Sequence, residues 1–209
     1  SHMRRSSRSA LAALAIGLLV LVGCSSSHHS SIDSTTMNAL KLAAIPEDAD
    51  FNATDVGFAQ GMIPHHAQAV EMADMAIAAN ASPAVLTLAQ KIKAAQNPEI
   101  ETMSAWLREW GQPVPATTSM AGGGHDMTGM SGMMMDGMMT QADMTRLSKA
   151  TGTDFDRLWL ELMIKHHEGA VRMANDEVTS GKNPAALSLA RSIITSQNAE
   201  IDQMKAMLA

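Results

Sequence analysis

Only one cysteine, Cys24, occurs in the 209 residues, so no internal disulfide can form. Tyrosine is absent, and no Ser/His/Asp triad or paired carboxylates can be placed, which argues against an enzyme. No window alternates apolar and polar residues with period two, so no strand is predicted. No glutamate has a histidine three residues on: Glu161 meets Ile164 and Glu168 meets Val171. A di-iron bundle, which needs Glu-x-x-His on two helices, therefore fails at its own motif. Basic charge is also scarce, with 15 Lys+Arg against 21 Asp+Glu. Residues 1–23 carry three of those arginines and no acid, so the remainder has 12 basic against 21 acidic residues, a net −9. A chain this acidic is a poor candidate for nucleic acid.

Long apolar runs are missing as well. The run Ala10–Val22 has about 13 residues, too few for a membrane span of ~20. It follows Arg4, Arg5 and Arg8 and ends in Leu21-Val22-Gly23-Cys24. Ser1-His2-Met3 reads as a cloning scar, and the rest of 1–23 as a signal peptide. The ending resembles the lipobox of bacterial lipoproteins, which implies lipidation at Cys24, export, and anchoring to the cell membrane or envelope. Residues 24–39, including "SSSHHSSIDS", are polar and read as a flexible tether. Residues 40–209 are long enough for one domain with a real core.

That domain contains a duplication. "GMIPHHAQAVEMA" (61–73) recurs as "LMIKHHEGAVRMA" (162–174), an offset of 101 that holds without a gap from Phe58/Trp159 to Leu107/Leu208. Of these 50 pairs, 21 are identical, among them both histidine pairs, Gln96/Gln197, Glu99/Glu200 and Met103/Met204. Each half is predicted to form two helices, Thr54–Asn80 then Pro83–Trp110, and Asp154–Ser180 then Pro184–Leu208. Ser82 and Asn183 are suited to N-caps, with Pro83 and Pro184 at the first helical position. Gly181 suits the residue just past a helix end. Two hairpins, about 54–110 and 154–209, each with one apolar stripe, are predicted to bury those stripes together as an all-α four-helix bundle. Pro64 is expected to kink the first helix before its histidines, where the second half has Lys165.

Between the hairpins, residues 111–144 read as a linker. Met120–Met144 has nine Met and six Gly in 25 residues. Glycine at that density opposes a helix, and the lack of Leu, Ile and Val opposes a packed core. The segment is expected to be a mobile collector of thioethers.

At 100° per residue, His65 and His66 flank a stripe formed by Met62, Ala69, Ala73 and Ala76. Met72 lies nearly on the line of His65, and Met163, His166, His167 and Met173 repeat the set. A single histidine there would usually be a core residue bonded to a carboxylate or carbonyl. Two pairs, each with Met three before the first His and six after the second, point instead to metal. Met103 and Met204 on the second helices, and Met127, Met130, Met133, Met134 and Met138 in the linker, join the candidate ligands. Thioether is a soft, weak donor suited to Cu(I) and, by the same logic, Ag(I), while imidazole serves Cu(I) and Cu(II). Zinc favours Cys, His and carboxylate. In an oxidising envelope Met survives where Cys would be oxidised.

The motif Met-Ile-x-His-His-x-x-Ala-x-x-Met-Ala, with the "QN-x-EI" segments at Gln96 and Gln197, resembles a bacterial family catalogued as a domain of unknown function. The match covers about 54–208. The resemblance implies a ferritin-like fold and, for some members, envelope copper binding that confers copper tolerance. It would place metal at Met62, His65, His66, Met72, Met163, His166, His167 and Met173. The function expected is a non-enzymatic copper-binding lipoprotein that buffers Cu(I) or hands it to a copper-handling partner protein. A structural or signalling module with core His and Met, and a Cu(I) oxidase, stand as alternatives.

Overall fold

The computed structural model describes residues 42–117 and 136–209. Cys24, the signal segment and most of the Met-rich linker lie outside them. The described residues form five helices and no strand. They are α1 (Ala53–Ala78), α2 (Pro83–Glu109), α3 (Gln141–Lys149), α4 (Gly152–Ser180) and α5 (Pro184–Leu208). Helix α1 packs on α2, α4 on α5, and α1 on α4, while α3 lies against α4. The all-α bundle of two hairpins is therefore present, and α1 against α4 joins its halves. Among the described residues no helix is long and apolar enough to cross a membrane.

The duplication is written into the joints. Asp55, in the first turn of α1, accepts from the Lys182 and Asn183 amides at 2.9–3.1 Å. Asp156, 101 positions later on α4, accepts from the Ser82 amide at 3.3 Å. The first helix of each hairpin thus ties down the other hairpin's inter-helix turn. Asn183 caps α5 through Ala185 and Ala186 as expected, whereas the Ser82 side chain makes no cap bond. Helix α1 runs unbroken through Pro64, and α2 through Pro98.

One expectation is met in a different way and another is corrected. Gly181 stands just past the end of α4 as expected, but with a φ of −70° it is not in the left-handed region. It is small because a Cβ would sit 2.3 Å from Glu177 Oε1. The left-handed residue is Asn80, in the other hairpin's turn. The end of the Met-rich stretch is also not a loose linker. Thr140 and Asp143 form a capping box that starts α3. Met139 and Met144 are buried in a core with Leu147, Phe155 and Trp159. The six glycines all precede α3, and Met itself fills the space that Leu or Val would.

Glu177 departs from the repeat, since position 76 in the first half is Ala. Its side chain is fully buried, and neither carboxyl oxygen has a hydrogen-bond donor. Burial first, then the Asp55 carboxyl beside it, pushes Glu177 up to about 8. As a neutral acid it can donate to Asp55. An unfolded glutamate releases its proton near pH 4.5 and the folded one near 8. Unfolding therefore releases a proton in that window, and stability is full below it, falls through it, and is lowest above pH 8. Glu177→Gln, whose amide can still donate, is expected to flatten this slope and raise the melting temperature at pH 9 by roughly 3–6 °C, as ~1–2 kcal/mol would in a domain this size. Thermal melts of both proteins from pH 5 to 9 check this, and parallel curves would refute it.

Candidate metal centre

All four motif histidines are within 1% of complete burial. Helices α1 and α4 bring the first of each pair together: the His65 and His166 rings lie 3.8 Å apart between centroids, tilted by 36°. The second of each pair turns toward its own hairpin. His66 Nε2 is 2.6 Å from Glu99 Oε2, and His167 Nε2 is 2.9 Å from Glu200 Oε2. His65 Nε2 donates to the Asp136 carbonyl at 3.1 Å, the direction being fixed because a carbonyl only accepts. His166 has no partner on either nitrogen, and Nδ1 of His65, His66 and His167 has none.

The segment 136–140 lies across this junction as a strap. Asp136 forms an ion pair with Arg172, one arm at 2.8 Å. Gln68 bonds the Met139 backbone in both directions, at 3.0 and 2.8 Å. The strap fits because two glycines meet: a Cβ on Gly169 would lie 2.0 Å from the Asp136 oxygen, and one on Gly137 would lie 2.7 Å from the Lys165 oxygen.

Burial governs the protonation of the rings. Desolvation, aided by the neighbouring His66, lowers His65 to about 3. Desolvation and the facing His65 hold His166 well below its ordinary value. His167 is lowered by burial against the opposing pull of Glu200. These three rings are therefore neutral at pH 7 and have a lone pair to offer, the form a metal requires.

The thioethers fall into two groups. Met62, Met103 and the half-buried Met173 belong to one apolar cluster. Met72, Met163 and Met204 belong to the other. Each cluster thus takes the Met before the His pair and the second-helix Met of one hairpin, with the later motif Met of the other. The two methionines flanking one histidine pair do not share a cluster. Met138 is half-buried on the strap, while Met127, Met130, Met133 and Met134 lie outside the described residues. Among the described residues no three of His, Cys, Asp and Glu converge as a metal-holding group. The buried imidazoles and thioethers together form a donor set suited to soft monovalent metal.

Sequence reasoning did not assign Glu99, Glu200, the Asp136 carbonyl, Gly169 or Gln68. A signal existed for the two glutamates: each is identical across the repeat and stands 33 residues after its histidine.

Several solved structures are similar to this chain in fold. A DUF305 protein from Streptomyces coelicolor, classed as secreted, is 35% identical with a TM-score of 0.63, covering 74% of this chain and 91% of that one. A DUF305 fragment from Deinococcus radiodurans is 32% identical with a TM-score of 0.64, covering 75% and 96%. CopM, solved in its Cu(II)-bound form, is 36% identical with a TM-score of 0.59, covering 74% and 95%. CopM is also known in Cu(I)-bound and Ag-bound forms. No curated protein sequence matches the chain. With the family model matching residues 55–208 and these relatives covering about three quarters of the chain, the chain belongs to the DUF305 family, a domain of unknown function.

Proposed function

We propose that this protein is a non-enzymatic, exported copper-binding protein that takes up Cu(I) in the cell envelope and holds it or hands it on, contributing to copper tolerance. The observation that carries the reading is the set of five buried ring nitrogens on the α1 and α4 histidines without a hydrogen-bond partner. Unpaired buried polar atoms are costly, and a ligand that pairs them accounts for their presence. Neutral imidazoles and buried thioethers on the same helices suit Cu(I) or Ag(I) over harder ions. CopM, with its copper- and silver-bound forms, is similar over most of the domain. Export is supported by the signal-like segment and by the secreted relative from Streptomyces. Lipidation at Cys24, a copper-handling partner protein, and linker thioethers that extend the donor set complete the proposal.

The structural alternative has its own support, because His66 and His167 each have a carboxylate partner. One experiment separates the readings. Replacing His65 and His66 together by Ala is expected to weaken Cu(I) binding at least tenfold, about 1.4 kcal/mol, with helical circular dichroism retained. Titration against a competing Cu(I) chelator, on protein purified without a histidine tag, measures it. Unchanged affinity would leave these histidines as core residues.

A further inference from the structure

Glu99 and Glu200 are not candidate ligands in the reading above, yet the fold aims both at histidines. Each sits on the second helix of its hairpin, 33 residues after the ring it meets, and bonds Nε2 rather than Nδ1. On the third ring the Asp136 carbonyl occupies Nε2 in the same way. The complementary nitrogen, Nδ1, is buried and unpaired on all three. Three separate acceptors, from α2, α5 and the strap, thus select the same ring atom. Lys91 on α2 holds the other Glu200 oxygen at 3.6 Å, which discourages that carboxylate from turning away.

We propose that Glu99 and Glu200, with the Asp136 carbonyl, are positioning groups that hold His66, His167 and His65 in the Nε2–H form, so that metal is taken at Nδ1. The inference rests on the copper reading and adds which atom of each ring binds and what sets it. Metal-bound imidazoles commonly donate their other N–H to a carboxylate or carbonyl, which fixes the tautomer and raises ligand basicity. Here the carboxylates have a second effect. A buried monovalent cation needs nearby negative charge, and Glu99 and Glu200 supply it one ring away without being ligands. His166 has no such acceptor and is free to present either nitrogen.

The test uses the folded protein with Cu(I), and with Ag(I) as a diamagnetic probe. Long-range nitrogen–proton correlation spectra of metal-free protein are expected to show Nε2–H at His66 and His167, with that proton retained and Nδ1 shifted on Ag(I) loading. Glu99→Ala and Glu200→Ala should each weaken Cu(I) binding by roughly 10–100-fold. Glu99→Gln and Glu200→Gln, which keep an acceptor oxygen but lose the charge, should restore the Nε2–H signal and recover only part of the affinity. Nδ1–H in the metal-free protein, loss of Nε2–H on loading, or Ala variants with wild-type affinity would each overturn the proposal. If an Ala variant fails to fold, the wild-type spectra still decide it. A wild-type protein that takes neither ion would overturn the copper reading itself, whereas one that binds through Nε2 would overturn only the positioning.

Discussion

Gly169→Val is expected to unseat the strap and lower the melting temperature by roughly 6–12 °C, the equivalent of about 3 kcal/mol in a domain of this size. The reason is steric and local. A Cβ at 169 would stand 2.0 Å from the Asp136 oxygen and 2.6 Å from the Gly137 Cα. Both obstacles are backbone, so no rotamer change relieves the clash. Gly137 cannot yield easily, since its φ is +79° and its own Cα is hemmed by Gly169 and the Lys165 carbonyl. The strap must therefore lift, and several contacts go together: the His65 bond, the two Gln68–Met139 bonds and the Arg172 ion pair. Losses of this kind belong to the severe end of single substitutions. Gly57→Ala is the control, because a Cβ there meets nothing within 4 Å on the same bundle. It should be neutral or stabilise by up to ~1 kcal/mol, the helix-propensity gain. Thermal and urea unfolding of the two variants measure the contrast. A Gly169→Val protein melting within 2 °C of wild type would mean the strap contributes little.

The two hairpins were legible in the sequence because the repeat marks them twice. Pro83 and Pro184 start α2 and α5, and the His–His helices end within two residues of the expected positions. What escaped lies where the halves differ. Gln68 and Gly169 are equivalent in the repeat, yet both meet the strap: Gln68 holds the Met139 backbone and Gly169 clears a path for Asp136. A single segment crossing the junction of two similar hairpins must meet the same position twice in different ways. Nothing at positions 68 and 169 announces this, because it depends on where the chain returns from the linker. Glu177 against Ala76 is a second case, since a lone Glu on a polar-looking helix reads as solvated until Asp55 and the 181–183 turn close over it. At the candidate site the burial of the histidines was legible, but their grouping was not. Periodicity put the histidines inside, but the pairing of His65 with His166, and of Met72 with the other hairpin's methionines, comes from how α1 meets α4.

His166→Leu is expected to make the metal-free bundle more stable while impairing its metal binding. Both nitrogens of His166 are buried without a partner, and an unpaired buried polar group costs about 1–3 kcal/mol. Leucine is of similar size and carries no polar atom, so removing the imidazole should gain ~2 kcal/mol, or roughly 4–8 °C in melting temperature. The lost stacking against His65 offsets a part of that. Cu(I) affinity should fall at least tenfold, about 1.4 kcal/mol, because the ring that both lacks a competing acceptor and faces His65 has gone. The adjacent residue predicts the reverse for stability. His167→Leu leaves Glu200 buried beside an apolar side chain with only the 3.6 Å contact to Lys91, and taking the hydrogen-bond donor from a buried acceptor costs ~1–3 kcal/mol, more for a charged one. Opposite stability changes at neighbouring positions cannot come from packing volume, which is the same in both replacements. They follow only if one histidine is satisfied by the protein and the other is kept for something the protein does not supply. Melting curves without metal, and Cu(I) titration of the same two variants, decide between these cases. If His166→Leu melts well below wild type, His166 is a packing residue and the junction is a core rather than a binding site.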